Sequence, residues 1–354
     1  MSTQHAPLGI YYEHPDWFRP LFQELERRGV WYEAIHAGSH AFDPAVEPGY
    51  GVVFNRMSPS AWLRGHARAI HYTTEYLHHL ETRGVRVING SAAWTTEISK
   101  ARQTALLRDL ALPHPRTRVI SDPALAPEAA RGFRYPVIVK PNIGGSGAGV
   151  VRFDTPAALE RAAASGTIEL GIDSVGLVQE FIPQESGRIV RVEVLNGHFL
   201  YAIRIYTPGD DFNLCPADVC QNVDGVALER AACAIDAPKN GLRVEAYTPP
   251  ADIIANVERI MRRAGIEIGG VEYFIDDRDG QLYYYDINAL SNFVADAPRV
   301  IGFDPFARLA DWLESELSRH GGIAVHPAGA GTAGHAAGAE AAVHSAVAPT
   351  QEVV

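Results

Sequence analysis

Residues 135–153 read YPVIVKPNIGGSGAGVVRF, and the interpretation of this stretch decides the fold. VIVK is a strand-like run that delivers Lys140 at its end. A glycine-rich turn, Gly144 to Gly149, follows with Ser146 at its tip, and VVRF resumes as a second strand. Glycines let backbone N–H groups wrap a phosphate because no Cβ blocks the approach or the positive-φ conformations. A P-loop needs G-x-x-x-x-G-K-[ST] entering a helix, and the sequence contains no Gly-Lys pair. A Rossmann turn needs G-x-G-x-x-G between strand and helix, whereas Gly145, Gly147 and Gly149 form G-x-G-x-G ahead of a strand. Two readings stay open for the loop by itself: a cover over nucleotide phosphates, or a plain glycine hairpin.

Upstream, strand-like runs (LGIYY 8–12, VWYEAIHA 30–37, GYGVVFNRM 49–57, VRVIN 85–89) alternate with helical patterns at 15–29 and 61–84. This β-α-β-β-α-β order predicts an open α/β sheet with helices on its faces. Arg56 falls just past a strand's carboxyl end, where such sheets bind ligands, and reads equally as a surface arginine. His66, His71, His78 and His79 lack H-x-x-x-H spacing and read as a solvated helix face. One helix is predicted over 94–110, WTTEISKARQTALLRDL, with Lys100 near its start.

Downstream, Thr155 and Pro156 open a helix, and LVQEFIP (177–183) is an apolar strand carrying Gln179 and Glu180. Asn196-Gly197 predicts a tight hairpin whose strands carry Arg191 and Arg204, facing one another. GVEYF and YYDINAL then bring Glu272, Asp286 and Asn288 onto paired strands. Alternate strand residues share a face, so Asp286 and Asn288 project together and Glu272 can lie opposite. Two carboxylates and an amide oxygen are hard donors of the kind that hold Mg²⁺ beside phosphates. The plainer alternative is the wet face of a hairpin, against which the flanking Tyr and Ile residues argue.

The 354 residues carry a net charge of -11 and are 47% hydrophobic, which suits two or three cored domains and no nucleic-acid partner. No run approaches the ~18 apolar residues of a membrane span, and no signal-peptide pattern opens the chain, so a soluble cytoplasmic protein is expected. Three cysteines, Cys215, Cys220 and Cys233, argue against a disulfide framework. Residues 321–354, rich in Ala and Gly, read as a disordered tail.

Taken together these stretches resemble the ATP-grasp superfamily, and more narrowly the glutathione synthetase and RimK-type carboxylate–amine ligases. The resemblance implies an ATP-grasp fold preceded by an N-terminal open α/β (pre-ATP-grasp) domain. Its parts would be 1–93, an ATP-grasp subdomain with the glycine lid over 94–184, and a C-terminal subdomain with the metal site over 185–320. Lys100 and Lys140 match the family's phosphate-binding lysines. The Gly144, Gly145, Ser146 and Gly147 turn matches its lid, and Gln179, Glu180, Phe181 and Ile182 its adenine-binding hinge. Glu272, Asp286 and Asn288 match its metal ligands, with Asp286 one methylene shorter than the usual Glu. Arg191 and Arg204 match arginines near the γ-phosphate and the substrate carboxylate. The family's ribose-binding acid falls on Ile189, which shifts the role to Glu185. Asn213 in the unusual loop PGDDFNLCPADVCQ, together with Arg56, would meet substrate.

The implied reaction uses ATP with Mg²⁺, or Mn²⁺ in its place. A carboxylate takes the γ-phosphoryl group, and an amine displaces phosphate to leave an amide and ADP. The lid excludes water from the acyl phosphate. A kinase on the same fold and a non-catalytic nucleotide-binding regulator are the alternatives. Small carboxylate and amine substrates are the expected partners, without nucleic acid or membrane, and the protein is expected as a homodimer.

Overall fold

The computed structural model describes residues 6–14, 16–145, 147–183, 188–206 and 243–320. Ser146, Glu185, Asn213, the three cysteines and the 321–354 tail lie outside them. Three sheets organise the described chain. The first contains β1 (Leu8–Tyr12), β2 (Tyr32–His36), β3 (Val52–Arg56) and β4 (Arg86–Ile88) in the order β2-β1-β3-β4. All its pairs are parallel. Helices α1 (Arg19–Arg28) and α2 (Ala67–Thr82) supply the crossovers, as the alternating pattern predicts. Gly29 closes α1 at φ 70°, a left-handed C-cap that costs glycine little.

The helix predicted over 94–110 is two helices, α3 (Ser91–Glu97) and α4 (Lys100–Asp109). Ser99 breaks it. Its backbone is extended, and its Oγ accepts from the Arg102 N–H at 3.2 Å, capping α4. The break sets Lys100 at the first helical position, with its amide donating to the Asn142 carbonyl at 3.2 Å.

The second sheet is antiparallel, β5 (Thr117–Ile120), β8 (Gly176–Glu180), β6 (Val137–Pro141) and β7 (Val151–Phe153), in that spatial order. Here α5 (Ala126–Ala129) and α6 (Pro156–Ser165) cover one face, and Thr155 caps α6 through the Ala158 N–H at 3.2 Å. The quoted stretch is therefore the β6–β7 hairpin. Gly147 and Gly149 sit at φ 73° and 74°, conformations a side chain would strain.

The third sheet orders β11 (Arg243–Tyr247), β10 (His198–Tyr206), β9 (Arg188–Leu195), β12 (Ile268–Ile275) and β13 (Leu282–Asn288). Asn196 and Gly197, at φ 53° and 74°, turn β9 into β10. On its back face Val190, Val192, Val194 and Val271 pack on α7 (Ala251–Ala264) through Val257, Ile260, Met261 and Ala264. That i, i+3, i+4, i+7 spacing is one helical stripe, and burial of each large member contributes about 1.5–3 kcal/mol. The closing helices are α8 (Ala297–Ile301) and α9 (Pro305–His320). Helix α9 returns to the first sheet: Leu309, Ala310 and Leu313 share a core with Leu8, Ile10, Val52 and Phe54. No helix of the described residues is long and apolar enough to cross a membrane.

Candidate functional site

In the middle of β9, β12 and β13 the front face of the third sheet carries charged side chains, whereas the back is apolar there. Cross-strand register sets Arg191 opposite Glu272, and Glu272 opposite Asp286. A β-bulge follows at Glu272/Tyr273, so Tyr285 and Asp286 both turn toward Glu272. Arg191 Nη1 donates to Glu272 Oε1 at 2.9 Å, and its Nε donates to Glu193 Oε1 at 2.6 Å. Tyr285 donates its hydroxyl to Glu272 Oε2 at 2.5 Å. Gly270 makes room for this arrangement, because a Cβ there would stand 3.1 Å from both Arg191 and Glu193.

Helix α4 brings the opposing charge. Lys100 Nζ pairs with the Asp286 carboxylate, and Asn288 Nδ2 donates to Asp286 Oδ2 at 3.1 Å. Burial works to raise the Asp286 pKa, but Lys100, Lys140 and the Asn288 bond outweigh it and hold the group below the usual carboxylate range. Burial prevails at Glu272 and holds it above that range against the pull of Arg191. At the end of β6, burial together with the like charge of Lys100 pushes Lys140 down to about 8, with Asp286 opposing. Thus Lys100, Lys140, Arg191, Glu272, Asp286 and Asn288, drawn from five elements, are brought together.

Three residues that sequence reasoning passed over fix this geometry. Gln103, one turn beyond Lys100, clamps β13 by donating from Nε2 to the Ile287 carbonyl at 2.8 Å. Asn142, just after β6, accepts from Ser99 Oγ at 3.1 Å and from the Ala101 N–H at 2.9 Å, tying the hairpin to α4. Glu97 is buried at the end of α3 and accepts from the Ala289 N–H. Burial pushes it up to about 7, with Asp286 adding to the rise and the Ala289 bond, Lys100 and Arg191 opposing it. No local motif marks these residues: Glu97 and Gln103 are ordinary polar positions in helical patterns, and Asn142 is one polar residue in a turn.

Other expected residues fall elsewhere. Arg204 does not face Arg191: the register pairs Arg191 with Ile203 and Arg204 with Val190, which turns Arg204 to the back face. There its guanidinium lies 3.7 Å from the Tyr247 ring centroid and 3.7 Å from Glu245. Gln179 is buried with its amide donating to Thr117 Oγ1 at 2.8 Å, inside the second sheet. The Glu180 and Phe181 amides donate to the Arg116 and Pro136 carbonyls at 2.9 and 3.0 Å. Ile182 packs with Ile189 and Phe274. Arg56 is no surface arginine: it is 2% exposed, between the Phe18 and Phe54 rings. Its Nη2 meets the Ser291 carbonyl, while Nε and Nη1 are buried without a hydrogen-bond partner among the described residues. Burial pushes it down to about 9, with Glu193 and Glu97 opposing. Gly145 packs against Ser60, where a Cβ would come within 2.9 Å.

A glycine hairpin from one antiparallel sheet facing a charged sheet from another, behind a parallel N-terminal sheet, is the ATP-grasp fold. Residues 98–224 match the RimK-like ATP-grasp domain. The chain has the ATP-grasp fold and carries a RimK-like ATP-grasp domain over these residues. A probable alpha-L-glutamate ligase of Teredinibacter turnerae is 30% identical over 176 residues, which are 49% of this chain and 58% of that protein. The chain thus spans less than two thirds of that curated relative. A RimK domain ATP-grasp protein of Sphaerobacter thermophilus superimposes with TM-score 0.61 at 20% identity, covering 87% of this chain and 99% of that one. The ATP-grasp ligase PsnB, solved with a minimal precursor, gives TM-score 0.60 at 20% identity over 88% of this chain and all of that one, 100%. PsnB has also been solved with Mg and ADP.

Proposed function

We propose that this protein is an ATP-dependent carboxylate–amine ligase that works through an acyl phosphate and releases ADP and phosphate. The observation that carries the reading is the meeting of Lys100 with Asp286 opposite the Arg191–Glu272 pair. Cations and carboxylates interleaved on a largely buried sheet face suit phosphoryl transfer, whose catalysis is positioning and charge neutralisation.

Lys100, Lys140 and the Gly144–Gly147 turn would bind the phosphates. The Ile182 amide and the carbonyls of Glu180 to Ile182 would meet the purine, since the two preceding amides are engaged in the sheet. Arg191, with both edges of its guanidinium already oriented by Glu193 and Glu272, would stabilise the transferred charge. Glu272, Asp286 and Asn288 form a hard-oxygen set on one face, which fits Mg²⁺ and also Mn²⁺. A divalent ion there would supply charge neutralisation on the phosphate oxygens. Arg56, with two buried N–H groups unanswered, suits a substrate carboxylate.

The test supplies ATP and Mg²⁺ with single amino acids, alone and in pairs, and follows ADP release and product mass. Hydroxylamine is included to trap acyl phosphates as hydroxamates. Carboxylate-dependent ADP release with an amide product is expected. A stable phosphate ester would indicate a kinase, and ATP binding without turnover a regulator; either would sink the ligase reading.

A further inference from the structure

The carboxyl ends of β1, β2 and β3 carry a second polar cluster that the phosphate site leaves unused. Glu13 follows β1 and is 1% exposed. Arg64 Nε lies 3.0 Å from each of its carboxylate oxygens, and Arg64 Nη2 contacts Oε2. His66 Nδ1 lies 2.6 Å from Oε1. His36, at the end of β2, places Nε2 2.9 Å from the Glu13 carbonyl oxygen. His66 therefore does not lie on a solvated helix face. It precedes α2 and is locked to a buried acid.

The protonation pattern follows. Burial works to raise Glu13, but its bonds to Arg64 and His66 outweigh this and hold it below the usual carboxylate range. A charged carboxylate only accepts, so the proton on the neutral His66 ring sits at Nδ1 and Nε2 keeps its lone pair. A carboxylate that fixes the tautomer and orientation of an imidazole is the arrangement by which a histidine serves as a general base. The His66 side chain keeps 38% of its exposure, so the ring is partly open to solvent.

A chain of contacts links the dyad to the glycine hairpin of the phosphate site. Gly145 of the hairpin lies against Ser60, whose Oγ accepts from Arg64 Nη1 at 3.2 Å, and Arg64 shares Glu13 with His66. Ile143 packs in the same core as Met57 and Ala61. The cluster flanks the boundary between β1 and β3, whose crossovers leave in different directions, and open parallel sheets bind ligands at such points.

We propose that His66, oriented by Glu13, is the catalytic base for the attacking amine. This rests on the ligase reading above. As nitrogen attacks the acyl carbon and the C–N bond forms, Nε2 takes the proton from the resulting ammonium centre. The adduct collapses, the C–O bond to phosphate breaks, and phosphate leaves with the electron pair. The imidazolium then returns its proton to water or to the released phosphate.

The test compares two nucleophiles on one acyl phosphate: hydroxylamine, weakly basic and reactive without a base, and the amine substrate found in the turnover screen. In His66→Gln, amide formation is expected to fall about 10²- to 10⁴-fold relative to hydroxamate formation. Added imidazole is expected to restore part of the amide yield in His66→Gly. Hydroxamate formation itself reports that the variants are folded. Amide and hydroxamate falling in parallel, or amide formation at the wild-type rate, overturns the assignment of His66. A wild-type protein that forms no hydroxamate with any carboxylate overturns the ligase reading and this proposal with it.

Discussion

Lys100 on α4 and Asp286 on β13, 186 positions apart, form an ion pair that joins the start of the RimK-like domain to the last strand of the third sheet. The pair is partly buried, with 16% and 23% of the two side chains exposed. Each partner keeps the other charged: Asp286 offsets the burial that would otherwise depress Lys100, and Lys100 offsets the burial that would otherwise raise Asp286.

Removing one partner should therefore impair both chemistry and stability. Asp286→Ala strands the ammonium of Lys100 in a partly dry site, at a cost of about 1–3 kcal/mol. ADP formation is expected to fall at least about 10²-fold, on the scale of losing one charge-stabilising group. Circular dichroism and thermal unfolding check that the fold persists, and full ADP release in this variant would remove Asp286 from the site.

Glu97 sets a pH dependence of stability. Its folded-state pKa is pushed up to about 7, above the ordinary carboxylate value, so the folded protein holds this proton more tightly than the unfolded chain. Stability from this group is present below the ordinary carboxylate pKa and declines as pH rises to about 7. Glu97→Gln keeps an acceptor for the Ala289 N–H and carries no charge. Its melting temperature should exceed the wild type's at pH 8, by an amount worth on the order of 2–3 kcal/mol, and match it near pH 4.5. A gap that does not change with pH would show that Glu97 titrates normally.

Arg191 and Arg204 should part company. Arg191→Lys keeps a positive charge near Glu193 and Glu272 but loses the planar fork that reaches both. Its kcat for ADP formation should drop about 10²-fold. Arg204→Gln changes the back face beside Tyr247 and Glu245 and should leave kcat within about threefold, since exposed ion pairs contribute roughly 0–1 kcal/mol. Equal losses in the two variants would contradict the register of β9 and β10.

Much of the architecture was open to a sequence reader because its causes are local. Strand–helix alternation over 8–89, the glycine hairpin after Lys140, the Asn196-Gly197 turn and the Thr155 cap all follow from period, φ preference and side-chain capping over a few residues. Asp286 and Asn288 could be set on one face for the same reason. The break at Ser99 was hidden: a serine inside a helical pattern signals a cap only once Asn142 is known to lie beside it.

What the sequence by itself determined is most of the strands and helices and the residue types that make a phosphate and metal site plausible: Lys100, Lys140, Arg191, Glu272, Asp286 and Asn288. Tertiary structure alone decided which of them meet. Strand period has no memory across a hairpin of which residue opposes which, so only the pairing register could send Arg191 to Glu272 and Arg204 to the opposite face. Likewise the burial of Arg56, the raised Glu97 and the Glu13–His66 pair depend on contacts between distant segments. A side chain's desolvation and its partners are properties of the packed chain, and no local pattern encodes them.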